Sequence, residues 1–208
     1  MDATITAIKQ QKRNPQRVNI YLDENFAFPL AKIVAAWLKV GQRLSVEKVR
    51  QLKERDQAEK AFQRALNFLS YRPRSEAEIE RNLRKFEVEE TVITDVIERL
   101  RRGNLLNDAD FAHHWVENRA AFRPRGAFAL RAELRQKGVP DEVIDQALSH
   151  LDETKLARQA ARRKATKLSN LEWPDFRNKL GAHLSRRGFD HEIVFDVCEE
   201  AWNELKSK

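Results

Sequence analysis

Two arginine-bearing loops are the first residues with chemistry to offer. In DADFAHHWVENRAAFRPRGAFALRAELRQKG, residues 108–138, Arg119, Arg123 and Arg125 gather around a break made by Pro124 and Gly126. At an offset of 51 residues, YRPRSE puts Arg72, Pro73 and Arg74 in the equivalent place. Arginine at a helix junction can grip phosphate or carboxylate with two parallel hydrogen bonds. It can equally complement the negative end of the helix dipole. Both uses stay open for these loops. A third basic set, Arg158, Arg162, Arg163, Lys164 and Lys167, lies in residues 153–187, which hold 10 basic and 3 acidic residues. Such a stretch can follow phosphates or an acidic protein face, or simply be a solvated helix face.

Reactive chemistry is sparse. His113 and His114 are neighbours, so on a helix they point to different faces. His150, His183 and His191 have no cysteine or carboxylate pair at metal-ligand spacing, so no metal site is expected. The sequence contains no GxxxxGK[ST], GxGxxG or GxSxG motif. Cys198 falls at an apolar position and is expected in a core. Glu76, Glu78 and Glu80 read as surface charges at helical spacing. No nucleophile stands with a base, so an enzyme is not expected, nor any cofactor.

Composition limits the class of protein. Of 208 residues, 41% are hydrophobic and 34% charged, with 6 Gly, 6 Pro and 1 Cys. This excludes a wholly disordered chain and a disulfide framework. No apolar run reaches the ~18 residues of a membrane span. The first residues, MDATITAIKQQKRNP, lack a secretory signal's apolar stretch, so a cytoplasmic location is expected. The formal charge is +7, which favours an anionic partner.

The elements that must position these residues change character along the chain. TITAIKQ, RVNIYL and FAFPL alternate apolar with polar residues and predict about three antiparallel strands, turning at Asn14-Pro15 and at 23–25. Residues 31–41 are apolar and predict a helix ending near Gly41. Ser45 then opens a charged helix. From residue 58 on, the pattern is helical and repeats. Set without gaps at the offset of 51, Leu83 meets Leu134, Val88 meets Val139 and Ile93 meets Ile144. A further shift of 50 brings Leu184, Phe189 and Val194 into the same columns, and Gly138 meets Gly188. Three helices per copy are expected: 57–70, 75–86 and 89–102; 108–121, 125–137 and 140–151; 153–169, 174–187 and 190–205. Ser75 with Glu78 forms a capping box, Asp108 and Asp190 suit N-caps, and Pro140 suits a first helical position. Trp37, Trp115 and Trp202 fall in apolar stripes and are expected in cores. The resulting division is an N-terminal sheet with helices over 1–57, then repeats over 58–106, 107–152 and 153–208.

At ALNFLSYRPRSEAEIERNL, GNLLNDADFAHHWVENRAAFRPRG and LRAELRQKGVPDEVID the sequence resembles the RecX family of bacterial recombination regulators, and NPQRVNIYLDENFAFPL resembles the small sheet that precedes the helices in some members. The likeness runs over nearly the whole chain. It implies a mainly α fold: tandem three-helix units with helix-turn-helix-like corners, in an elongated, curved, basic array behind an N-terminal antiparallel sheet. It implies binding to the RecA recombinase, chiefly in the groove of its filament on single-stranded DNA, with inhibition of ATP hydrolysis and strand exchange. Arg72, Arg74, Ser75 and Glu76 match the family's first-repeat motif, and Arg119, Arg123, Arg125 and Gly126 its middle-repeat motif. They are carried over as candidate contacts to RecA or to single-stranded DNA. A monomer is expected. Two other readings stand beside this one: a stand-alone DNA-binding module, and an adaptor for an unrelated acidic partner. Against the first, no repeat carries the Asn, Gln and Arg cluster that reads base edges.

Overall fold

The structure, a computed structural model, describes residues 2–207. Four strands come first: β1 (Ala3–Gln10), β2 (Arg17–Leu22), β3 (Asn25–Ala31) and β4 (Arg43–Leu44). Helices follow: α1 (Val46–Leu69), α2 (Glu76–Arg84), α3 (Glu90–Arg102), α4 (Asp108–Phe122), α5 (Ala127–Lys137), α6 (Asp141–Leu148), α7 (Glu153–Thr166), α8 (Trp173–Ser185) and α9 (His191–Lys206). The chain forms two compact units. One holds the residues up to Pro73 together with Ile79–Gly103; the other holds Arg74–Glu78 and the residues from Asn104 on.

In the first unit the sheet is antiparallel in the order β3-β2-β1-β4. Leu22 pairs with Asn25 across a two-residue turn. Asp23 and Glu24 there have φ of 46° and 69°, the left-handed conformation that suits a tight hairpin to strand twist. The expected three strands gain a fourth, because Arg43 and Leu44 pair with Thr4 and Ala3. Two residues are too few to show alternation in a sequence. The helix expected over 31–41 is absent. The segment instead makes successive turns, with Leu38 N donating to Ala35 O at 3.0 Å and Gly41 N donating back to Ile5 O at 2.8 Å. Gly41, at φ +88°, lets the chain return beside β1. Trp37, expected in a core, is 87% exposed on this segment.

Ser45 caps α1, its Oγ accepting from Lys48 N at 3.1 Å. The helix then continues to Leu69, so the break expected near residue 57 does not occur. Ile5, Ile20, Leu30, Leu44 and Leu52 form the core between sheet and helix. Asp56 enters that core at 3% exposure. Its carboxylate accepts from Ala31 N at 2.6 Å and from Arg17 Nη2 at 3.0 Å, and pairs with Lys60 at 2.9 Å. Burial pushes this carboxyl up, but the hydrogen bonds from Arg17, Lys60 and Ala31 outweigh it and hold Asp56 below the ordinary value of 3.8. A carboxyl with a depressed folded-state pKa stabilises the fold above its unfolded value and loses that contribution as pH falls through the folded value. Asp56→Ala leaves Ala31 N and Arg17 without their acceptor. It is expected to cost about 3 kcal/mol at neutral pH and progressively less in acid, as pH falls through the depressed folded-state pKa and the native carboxyl is itself protonated. Urea unfolding at neutral and at acid pH checks this; an equal loss at both would contradict it.

Among the described residues of the second unit, two packed centres stand out. Phe111, Ala112, Leu130, Leu134 and Ile144 form one, and Ala157, Phe176, Leu180, Leu184 and Cys198 the other. Leu151 packs against both. Each centre repeats the apolar columns seen at the 50-residue spacing. Two caps are placed one residue off expectation. Asn107, not Asp108, caps α4, accepting from Ala109 N at 2.9 Å. Asp108 Oδ1 instead accepts from Glu76 N at 2.9 Å, at the start of α2. Pro140 is the N-cap of α6 rather than its first residue, while Asp190 caps α9 as expected. Ser75 Oγ accepts from Glu78 N at 3.3 Å, half of the expected capping box. Glu78 is engaged elsewhere, pairing with Lys137 at 3.2 Å.

Candidate anion-binding groove

The loop after α4 is fixed by main-chain contact. Arg123 ends α4, its N–H donating to Arg119 O at 2.9 Å. Gly126 N then donates to Arg187 O at 3.0 Å. A Cβ on Gly126 would overlap the Gly188 carbonyl, so only glycine allows this approach. Gly188, at φ +78°, faces Ala129 almost as closely. Arg187 Nη1 also donates to Pro124 O at 3.0 Å. A related joint recurs one copy earlier, within the same unit, with a side-chain hydroxyl in place of the main-chain N–H. Ser75 Oγ donates to Lys137 O at 2.6 Å, and Gly138, at φ +83°, abuts Ala77.

This joint leaves an open groove of about 750 Å³ between the α4–α5 loop and the helices α7 and α8. Its cations are Arg123, Arg163, Lys164, Lys167 and Arg187, with His183 among them. Among the described residues that line it there is no carboxylate. Positive charge gathered in a concave surface attracts oxyanions and releases their counterions on binding, which makes the attraction sensitive to salt. Phe122, 77% exposed, stands at the lip. A bare aromatic face beside cations suits a stacked base next to its phosphate.

The structure divides the residues expected from sequence. Arg123, Arg163, Lys164 and Lys167 come together in the groove, although 40 or more residues separate Arg123 from the others. Arg119 and Arg125 are engaged inside the unit. Arg119 Nε donates to Glu133 at 2.7 Å and the guanidinium lies 4.6 Å from the Trp115 ring centre. Arg125 Nε is 3.0 Å from the same carboxylate, and Trp115 Nε1 donates to it at 2.8 Å. Arg158 forms a two-pronged ion pair with Glu200, both distances 2.7 Å. Arg162 is exposed on α7 outside the groove lining. Arg72 donates to its own loop at Pro73 O, 2.9 Å away, and Arg74 is half-buried with Glu78 at 4.0 Å.

Of the aromatic and basic residues that line the groove, Phe122, His183 and Arg187 were not singled out as contacts from sequence. Arg187 stands 50 positions after Lys137, the residue whose carbonyl serves the earlier joint. That column was the signal available. Burial lowers the His183 imidazole below its ordinary 6.5, and Arg187, Lys164 and Arg186 lower it further. Cys198 is fully buried, and burial pushes its thiol up to about 11, so little nucleophilic thiolate forms at neutral pH. Among the described residues, no three His, Cys, Asp or Glu side chains gather as metal ligands. No described helix is long and apolar enough to cross a membrane.

The fold defines a class: tandem three-helix repeats behind a small antiparallel sheet. Comparison with known proteins gives that class its family. The RecX N-terminal domain matches residues 3–45, and the first, second and third RecX three-helix domains match 61–100, 107–148 and 152–198. Regulatory protein RecX of Bacillus subtilis (strain 168) is 35% identical over 201 residues, covering 94% of this chain and 76% of that protein. Regulatory protein RecX of Clostridium botulinum (strain Alaska E43 / Type E3) is 32% identical over 208 residues and covers 97% of each. A crystal structure of regulatory protein RecX superposes with a TM-score of 0.79 at 29% identity, covering 95% of this chain and 99% of the other. That of RecX from Lactobacillus salivarius gives 0.65 at 27% identity, covering 70% of this chain and 97% of the other. The chain belongs to the RecX family of regulatory proteins.

Proposed function

We propose that this chain regulates the RecA recombinase. It binds the RecA filament on single-stranded DNA in the cytoplasm and lowers ATP hydrolysis and strand exchange, so restraining recombination, DNA repair and the SOS response. It acts as a binding protein, not as an enzyme. Membership of the RecX family carries this reading. The cationic groove with its exposed Phe122 supports it, since a filament groove presents phosphates and bases beside protein. Successive three-helix units also allow several modest contacts, which strengthen one another through effective concentration.

The test is ATP hydrolysis by RecA on single-stranded DNA with this protein titrated in, at about 50 mM and about 200 mM salt. Inhibition by less than one copy per RecA, relieved at the higher salt, is the expected result. Unchanged hydrolysis at saturating protein and low salt would overturn the proposal.

A further inference from the structure

Within the groove, His183 is placed unlike its neighbours. Its Nε2 accepts from Arg187 Nε at 3.1 Å, so that nitrogen carries no proton. The same guanidinium is held on its other side by the Pro124 carbonyl at 3.0 Å. Among the described residues, the charged groups set against the ring are cationic. Arg186 and Arg187 follow α8, Lys164 comes from α7, and Arg123, Arg163 and Lys167 line the same concavity. One neutral group, the Ala160 carbonyl, favours the protonated ring.

We propose that this groove is a phosphodiester site in which binding of a single-stranded nucleic acid is linked to uptake of one proton by His183. The inference rests on the reading that the groove meets nucleic acid. In the empty groove, a proton on Nε2 would face the Arg187 N–H and add charge to an already cationic surface. A phosphate oxygen removes both objections. It supplies the missing negative charge and accepts from both Nε2–H and Arg187 Nε. The proton comes from solvent, and no covalent bond between heavy atoms forms or breaks.

The sign follows from linkage. His183 is more basic with phosphate bound than without it, so affinity rises as pH falls through the bound-state pKa. One linked proton gives at most about tenfold per pH unit. Phe122 beside the cations favours a strand carrying bases over free phosphate.

The experiment measures binding of the full chain to a fluorescent oligothymidylate from about pH 8 to about pH 5.5, with the His183 ring followed by NMR. Affinity is expected to rise about three- to tenfold between pH 7.5 and 6. The ring titration should move to higher pH when the oligonucleotide is bound. His183→Gln keeps an acceptor for Arg187 but cannot titrate, and should flatten the pH profile. An unchanged profile in His183→Gln overturns the proton linkage. If Arg123→Glu with Lys167→Glu still weakens binding, the groove reading survives that failure; if it does not, the groove reading falls too. Inorganic phosphate that shifts the ring titration as far as the oligonucleotide does, and displaces it at equal concentration, would overturn the assignment to a nucleic acid strand.

Discussion

Arg123→Glu combined with Lys167→Glu is expected to weaken binding to the RecA filament on single-stranded DNA by about 100-fold, with helicity and melting temperature unchanged. Both residues line the groove and are exposed. Among the described residues neither side chain has an ion-pair partner, so reversing them costs the fold little. Two charge-assisted contacts are lost and two repulsions gained, each contact worth about 1.5 kcal/mol or more. The slope of log affinity against log salt should become shallower by about two units, one per phosphate contact removed. Fluorescence anisotropy over a salt series, with circular dichroism as control, measures both. Unchanged affinity and slope would remove the groove from the mechanism. The neighbouring Arg125 gives no such clean test. It lies 3.0 Å from Glu133, which also holds Arg119 and Trp115. A glutamate there would set two carboxylates together and loosen the loop itself.

Gly126→Ala is expected to destabilise the second unit by about 3 kcal/mol or more, lowering its melting temperature by more than about 10 °C. The added Cβ meets the main chain at Gly188, whose own conformation at φ +78° is packed against Ala129. A flexible side chain could move aside, but these atoms are held by Gly126 N donating to Arg187 O at 3.0 Å. Gly41→Ala is the matched control. Its Cβ meets nothing within 4 Å, so only the strain of φ +88° remains, worth about 1 kcal/mol. Thermal unfolding of the two variants distinguishes close packing from backbone preference. Equal, small losses would refute the packing argument. A loss of binding in Gly126→Ala would then report a displaced Arg123, not a missing contact at residue 126.

The repeats were legible because apolar columns at helical spacing survive at fixed offsets even where the residues change. Leu83, Leu134 and Leu184 share one column, and all three are fully buried. The left-handed turn was legible through Gly138 and Gly188, and Glu87, at φ 56°, takes the same conformation in the first copy. Residues 31–41 misled because an apolar run has no address. It reads as a helix until the hydrogen bond from Gly41 to Ile5 shows that the chain must turn back to the sheet. The continuous α1 was hidden by its charged first half, since nothing local distinguishes one long helix from two. The groove was half legible. Four of its five cations stood out in two separate stretches, but which arginines line the groove and which face Glu133 or Glu200 depends on contacts 14 to 42 residues apart in sequence. Composition does not encode that choice.

The joint between Gly126 and the Arg187–Gly188 turn has a further consequence. Apart from the Arg187 side chain, which donates to Pro124 O, it is made of main-chain atoms and glycines, while Arg123, Arg163, Lys164 and Lys167 contribute their side chains to the groove and not to the joint. Residues 123, 163, 164 and 167 can therefore change sign or size without disturbing how the α4–α5 loop is seated. Evolution, or a designer, can retarget this surface to another polyanion, or to a cationic partner, by exchanging a few surface codons on an unaltered chassis.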